Sequence, residues 1–292
     1  MDSQDSGWRG KFAGFALGLS IFAVLWFAVA ALGTKFGVWD YGFGLGKMMG
    51  NVTAGYGRFV IGAAALASIT AIVVSLVAAP RKRALMLSLG ALLIIALVGF
   101  RWMGFQLNAL RLPPIHEAQT DWSMPIQPSQ ALLDVRTAAK ASNAVEDAPT
   151  VPQAPGIEKN WPGTGGRLVS ELQEEAEYDP ARQKSPKDAL YPAIAPLIEP
   201  AVSYDMAYNA VLETVKAHGW EIVTADIESG RIEATHTSGW FGFKDDILFR
   251  IAPEGDGSRI DIRSISRVGL SDLGMNARRV GGLLTEIDGR LK

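Results

Sequence analysis

The sequence predicts an α+β protein in which three N-terminal transmembrane helices precede an α-β-β-β-β-α domain. Long apolar runs fill much of residues 1–110, whereas apolar and polar residues alternate within residues 201–292. A helix needs roughly 20 apolar residues to cross a bilayer, and a strand that buries one face alternates with a period of two. We therefore expect a membrane domain (1–110), a Pro-rich, extended and partly disordered linker (111–200), and an extracytoplasmic domain (201–292).

Charge divides the chain in the same way. Residues 1–101 carry nine Lys/Arg and three Asp/Glu, a net of +6, whereas residues 102–292 carry nineteen and twenty-seven, a net of −8. The acidic outer part argues against nucleic acid as a partner, since phosphates require a basic face. The chain has no cysteine, which removes disulfides, thiolate metal sites and cysteine nucleophiles.

Three spans are predicted, at about residues 12–32, 57–79 and 84–103. The third is the shortest, and it extends past Arg101 if that side chain reaches the lipid–water interface. Three buried helices of a soluble bundle would need polar faces, and these runs have almost none. The lipid bilayer is therefore the first expected partner.

Lysine and arginine placement predicts the orientation. The connection "PRKRA" (80–84) between spans two and three is the tightest basic cluster of the membrane domain, and Arg9 and Lys11 precede span one. These groups favour a cytoplasmic N-terminus and a C-terminal domain on the opposite, periplasmic side of a bacterial inner membrane.

Gly10, Gly14 and Gly18 line one face of span one. Small residues at this spacing allow another helix to approach closely. We expect the stripe to pack against spans two and three, with a homo-oligomer interface as the alternative.

The C-terminal domain is predicted element by element. Ser203 is a helix N-cap and Gly219 ends that helix. Strand patterns follow at 220–227, 231–237, 245–252 and 259–267, and Ser271 is predicted to cap a last helix that runs to Lys292. This order predicts an antiparallel four-stranded sheet with both helices on one face.

Hairpin register follows from the alternation. In the first hairpin we expect Ala225 opposite Ala234, and in the last hairpin Phe249 opposite Ile262. The other face then carries charges of both signs, which we interpret as a solvated ion-pair ladder, with an anionic lipid or polymer site as the alternative. Those charged residues are Arg231, Glu233, Arg250, Arg259, Asp261, Arg263 and Arg267.

The stretch "THTSGWFGFKDDILFRI" (235–251) is predicted to be the middle hairpin. Trp240, Phe241 and Phe243 would cover one end of the core. Asp246 lies in register with Arg250 on the charged face, whereas Asp245 faces the core and needs a partner there.

Several motifs together resemble one known family. "GWEIV", "GRIEAT", "WFGFKDDI" and "IDIRSISRVGLSDLGMNARRV", with "PPIHEAQTD" upstream, are similar to the domain-of-unknown-function 1499 family. The resemblance implies an envelope-associated bacterial protein and supplies no established activity.

Two sets of residues are candidates for chemistry. His236, Asp245 and Ser264 or Ser266 lie towards one end of the predicted sheet, as a hydroxyl nucleophile, base and acid would. A polar rim in which they satisfy one another is the alternative.

A metal site is the second candidate. His116, Glu117 and Asp121 offer three oxygen or nitrogen ligands within a Pro-flanked segment.

We favour a non-enzymatic inner-membrane protein whose periplasmic domain binds an envelope component, namely an anionic lipid, a polymer or a partner protein. No cofactor is expected. The alternative is a membrane-tethered hydrolase that uses His236 and Asp245, or His116 and Asp121.

Overall fold

The computed structural model describes residues 7–51, 53–77 and 82–292, which form two compact units. The helical unit contains the chain up to Asn108 together with Gly239–Gly242, and the α+β unit contains Ala109–Ser238 and Phe243–Lys292. This arrangement confirms the predicted fold class.

Three helices of the helical unit are long and apolar enough to cross a membrane. They are α1 (Trp8–Lys35), α2 (Gly57–Val77) and α3 (Lys82–Arg111). Residues 78 and 79 of the predicted second span, and residues 80 and 81 of the predicted basic turn, lie outside the described residues.

Small residues form the interface among these helices. Ala16 of α1, Ala71 of α2 and Ala91 of α3 pack together, and the hydroxyls of Ser20 and Ser68 lie 3.4 Å apart. Gly14 and Gly18 of the predicted glycine stripe do not take part, because both are exposed and a Cβ added at either would meet no atom within 4 Å. Alanine and serine already allow close approach, and a homo-oligomer through Gly10, Gly14 and Gly18 stays a prediction.

A π-helical segment, Gly42–Met49, lies between α1 and α2 in the chain. Trp26 Nε1 donates to the Met48 carbonyl at 3.0 Å, and Gln106 Nε2 of α3 donates to the Gly50 carbonyl at 3.1 Å. These bonds attach the segment to α1 and α3.

The α+β unit is built on an antiparallel sheet with the strand order β1-β6-β5-β4-β3, in which β2 also pairs with β6. The four predicted strands are β3 (Glu221–Asp226), β4 (Arg231–Thr237), β5 (Lys244–Glu254) and β6 (Gly257–Ser266). The sequence did not predict β1 (Glu117–Gln119) and β2 (Leu197–Glu199), which are only three residues each.

Register agrees with the prediction in one hairpin and differs in the other. Phe249 pairs with Ile262 as predicted. In the first hairpin Ala225 pairs with Ile232 rather than Ala234, and the register shifts between Ile222 and Thr224. The carboxylate of Asp226 accepts from the Glu228 amide and the Ser229 hydroxyl, and this local turn ends the strand earlier than the apolar pattern suggests.

Helices α7 (Tyr204–Ala217) and α8 (Met275–Leu291) pack on one face of the sheet. Ser203 caps α7 as predicted. The predicted Ser271 cap of the last helix is wrong, since α8 begins after Gly274. The Asp272 carboxylate instead accepts from the Gly274 and Asn276 amides, which places an acceptor at the helix N-terminus.

The opposite face of the sheet is covered by the segment that the sequence predicts to be extended. Helix α4 (Gln130–Ala138) of this segment lies on that face, whereas the apolar side chains of α5 (Pro155–Asn160) and α6 (Val169–Ala176) belong to the core on the α7 and α8 side. Ile126 and Leu132 pack on Leu248 and Ile265 of the sheet. The central strands β4, β5 and β6 are therefore largely buried on both faces, whereas much of β3 is exposed.

Candidate functional site

Two polar clusters lie on opposite faces of the sheet in the α+β unit. The inner cluster, on the α8 side, consists of His236, Asp245, Ser264, Ser266, Asn276 and Arg279. The outer ion-pair layer lies on the opposite face, which α4 covers. It consists of Glu117, Arg136, Arg231, Glu233, Asp246, Arg250, Arg259, Asp261, Arg263 and Arg267, most of which the sequence predicts to be solvated.

Asp245 is the centre of the inner cluster. It pairs with His236 across β4 and β5 and with Ser266 across β5 and β6. The Ser266 hydroxyl donates to Asp245 Oδ1 at 2.6 Å, and Arg279 Nη2 of α8 donates to Oδ2 at 2.6 Å. The carboxylate predicted to face the core therefore has a cation and a hydroxyl as partners.

The ionisation of Asp245 follows from these contacts. Burial by itself would raise the pKa of this carboxyl, but the His236 ring, the Arg279 guanidinium and the Ser266 hydroxyl together hold the pKa below its usual range. Asp245 is therefore a carboxylate at neutral pH, neutralised by Arg279.

The two serines are engaged with α8 rather than with the histidine. The Ser264 hydroxyl donates to Asn276 Oδ1 at 2.7 Å and accepts from Arg279 Nη1 at 2.9 Å. Asn276 Nδ2 donates to Ser266 Oγ at 3.0 Å. In a Ser-His-Asp site the histidine must accept the serine proton, whereas here both serine hydroxyls bond to other side chains.

His236 is the accessible end of the inner cluster. Its Nδ1 lies 3.2 Å from Arg279 Nη2 and 3.7 Å from Asp245 Oδ2. Trp220 meets its ring edge-on at 6.1 Å, and His218 stacks on Trp220 at 4.5 Å. This row of rings continues the cluster to the surface of the unit.

Asn276 and Arg279 were missed by sequence reasoning. They stand three residues apart near the start of α8, so they face the same side. The apolar stripe of this helix dominates its pattern, and polar residues next to it have the same appearance whether they face solvent or a buried carboxylate.

Asp246 is held in the outer ion-pair layer by two arginines. Arg267 Nη2 donates to Asp246 Oδ1 at 2.6 Å, and Arg267 Nε donates to Oδ2 at 2.9 Å. Arg136 of α4 also donates to Oδ2. Thr235 adds a hydroxyl at 2.8 Å. Two cations therefore satisfy one buried carboxylate and attach α4 to the sheet.

Glu117 and Arg263 form the most deeply buried pair of this layer. Both side chains have no exposed surface, and Arg263 Nη2 also donates to the Glu146 carbonyl at 2.7 Å. Burial raises the pKa of the Glu117 carboxyl, while Arg263 opposes that rise. This pair fixes β1 and the chain around Glu146 to β6.

The remaining arginines of this face are paired as well. Arg250 and Arg259 both contact Asp261, at 3.0 and 2.9 Å. Arg231 contacts Glu233 at 2.9 Å. The opposite charges pair with one another as the predicted ion-pair ladder requires, but the layer is only partly solvated. Glu233, Asp261, Arg263 and Arg267 are buried, whereas the side chains of Arg231 and Arg250 are each 31% exposed.

His116 and Asp121, the proposed metal ligands, have separate partners. His116 Nε2 lies 3.6 Å from Glu117 Oε1, and burial together with the charges of Arg136 and Arg263 lowers its pKa to about 4. Asp121 pairs with Arg259 at 2.6 Å. Within 7–51, 53–77 and 82–292, no three His, Asp or Glu side chains are grouped so that they could hold a metal ion.

Trp240 lies in the turn of the β4–β5 hairpin. Its side chain is 67% exposed, so it does not cover the core as the sequence predicts. The Ser238 amide donates to the Phe243 carbonyl at 2.8 Å and closes the turn.

The fold and the two polar clusters define the class of protein. It is an α+β protein with three candidate membrane-spanning helices and a sheet that buries part of a charged network. The family model described as "Protein of unknown function (DUF1499)" matches residues 134–287. The chain belongs to this family, as its motifs indicated. No curated protein matches it.

Proposed function

We propose that the chain is a bacterial inner-membrane protein whose α+β unit lies in the periplasm and binds a component of the cell envelope. Support for this orientation comes from the basic residues Arg9 and Lys11 at the start of α1, and Lys82 and Arg83 at the start of α3. Basic residues favour the cytoplasmic side.

A partner protein is the envelope component with the best support. The single observation that carries it is the free edge strand β3, which pairs only with β4 in the described sheet. Ile222 in this strand and Ile227 just after it are 37% and 43% exposed. An edge strand offers unpaired backbone amides and carbonyls to an added strand, and exposed apolar side chains supply specificity.

An anionic lipid or polymer has less support as the ligand of this unit. Arg250, Arg263 and Arg267 already contact carboxylates within the chain. Residues 102–292 carry a net charge of −8, and long-range electrostatic repulsion therefore disfavours the approach of a polyanion.

A hydrolase also has less support. Ser264 and Ser266 hydrogen-bond to Asn276 and Asp245, and His116 and Asp121 contact different residues. Neither arrangement prepares a nucleophile or a bound water for attack.

Site-specific photocrosslinking in the native membrane tests the proposal. A benzophenone side chain is introduced into the full chain at Ile222 or, as the matched control, at Ile198, which is 49% exposed in β2. We expect a discrete adduct of higher mass from position 222 and none from position 198.

A second substitution, Ile227→Lys, should remove the adduct from position 222, because it replaces exposed apolar surface next to β3 with a charge that a partner would have to desolvate. Absence of any adduct at position 222, or the same adducts from both positions, would contradict binding through β3.

A further inference from the structure

The helical unit has an open apolar cavity of about 450 Å³. All three of its walls carry large apolar side chains: α1 contributes Val24 and Phe27, the π-helical segment Leu45 and Met49, and α3 Leu97 and Phe105. Ligand sites in proteins have this size and this mainly apolar lining, with a few polar groups that orient the ligand.

Three polar side chains of α3 stand at this cavity, and one of them, Gln106, already donates to the Gly50 carbonyl. Arg101 lines it, and no ion pair of Arg101 is found among the described residues. Trp102 also lines it, and its indole Nε1 is buried without a hydrogen-bond partner in the part of the chain that the structure describes. A buried donor left unsatisfied is unfavourable, so an acceptor supplied by a ligand would stabilise it.

The wall formed by the π-helical segment is preformed. Gln106 Nε2 and Trp26 Nε1 hold its C-terminal end through the Gly50 and Met48 carbonyls. Gly50 has a φ of 60°, and a Cβ there would lie 2.3 Å from the Ala54 carbonyl oxygen. π-helical turns inside proteins are frequent at functional sites, and this one keeps Leu45 and Met49 at the cavity.

We propose that this cavity binds an anionic phospholipid, with an acyl chain against the apolar walls and the phosphate at Arg101 and the Trp102 indole N–H. Charge decides the class of lipid, because a guanidinium forms paired hydrogen bonds to a phosphate. A headgroup with a net negative charge complements the Arg101 guanidinium, whereas a zwitterionic headgroup already carries a cation beside its phosphate. The inference is independent of binding through β3.

Native mass spectrometry of the detergent-solubilised full chain tests it. Dioleoyl phosphatidylglycerol and dioleoyl phosphatidylcholine have the same acyl chains, so their relative retention measures headgroup preference alone. We expect the chain to retain phosphatidylglycerol in preference, and Arg101→Gln to weaken that retention by roughly tenfold.

The matched control is Arg111→Gln, an exposed arginine at the C-terminal end of the same helix, which should keep the preference. A bulky substitution, Val98→Trp, should lower the retention of both lipids because it fills the cavity. Equal retention of the two lipids by the unsubstituted chain, or an equal loss in Arg101→Gln and Arg111→Gln, would overturn the proposal.

Discussion

Arg263 of β6 and Glu117 of β1 form an ion pair in which neither side chain has any exposed surface, with Nη2 and Nε of the arginine 2.7 and 2.9 Å from Glu117 Oε2. The two residues are 146 positions apart in the chain. β1 is only three residues long, so this pair adds a side-chain link to its short backbone pairing with β6.

Removing one partner of the pair should destabilise the protein strongly. Arg263→Met leaves the Glu117 carboxylate buried without its cation, and we expect a loss of about 3–5 kcal/mol in the free energy of unfolding. Denaturant titration of the full chain in detergent measures the loss.

The control for this prediction is Lys216→Met, which breaks the exposed Lys216–Glu213 pair and should cost less than about 1 kcal/mol. The double variant Glu117→Met/Arg263→Met should recover part of the loss, since no charge is left buried alone. Equal losses in Arg263→Met and Lys216→Met would show that the Glu117–Arg263 pair is not buried.

His116 predicts a dependence of stability on pH. Its folded-state pKa of about 4 lies below the ordinary value of 6.5, so the unfolded chain binds the proton more tightly. The stabilisation from neutral His116 is present above pH 6.5 and is lost as the pH falls from about 6.5 to about 4. Between pH 7 and pH 5 the loss should be about 2 kcal/mol.

Comparison with His116→Gln isolates this contribution. The raised pKa of Glu117 acts in the opposite sense, but that carboxyl is present in both proteins. Unfolding free energies at pH 7 and pH 5 should fall less in the variant than in the unsubstituted chain. Identical falls would mean that His116 titrates normally in the folded protein.

Asp245 distinguishes a structural network from a catalytic one. Asp245→Asn removes the charge that faces Arg279, and we expect a loss of about 1–3 kcal/mol in unfolding free energy. His236→Ala should cost less, because this side chain is partly exposed. If both variants keep full stability but abolish a hydrolytic turnover, the hydrolase alternative is favoured.

Orientation in the membrane can be tested because the chain has no cysteine of its own. Single cysteines replace Ser229 in the first hairpin turn or Lys82 at the start of α3. On spheroplasts, an impermeant thiol reagent should label position 229 and leave position 82 unlabelled until the membrane is permeabilised. The reverse pattern would invert the proposed topology.

Features with a strong periodic signal were predictable from the sequence. The three apolar runs indicate the helices because length and hydropathy alone define a span. The β5–β6 register follows from alternation through Phe249 and Ile262, which fixes the pairing without reference to other segments. Asp245 was correctly placed among core-facing positions for the same reason.

Features that depend on distant partners were not predictable. Alternating charges such as Asp246 and Arg263 look the same on a solvated face and on a face that a polar segment covers. Strands as short as β1 leave no periodic pattern, and the prolines of residues 111–200 suggest an extended chain. Arg136, which completes the site around Asp246, gives no signal until α4 is placed on the sheet.

Hydrogen exchange at β1 tests most directly whether the covering segment closes the charged face of the sheet. The Thr120 amide donates to the Ile262 carbonyl at 3.0 Å and the Ser266 amide to the His116 carbonyl at 2.9 Å. The structure predicts that amides of residues 117–120 exchange as slowly as those of residues 262–266, as measured by mass spectrometry on the full chain. Exchange of residues 117–120 at the rate of an unpaired chain, with β6 still protected, would contradict a covered face and would return its arginines to the surface as a candidate binding site.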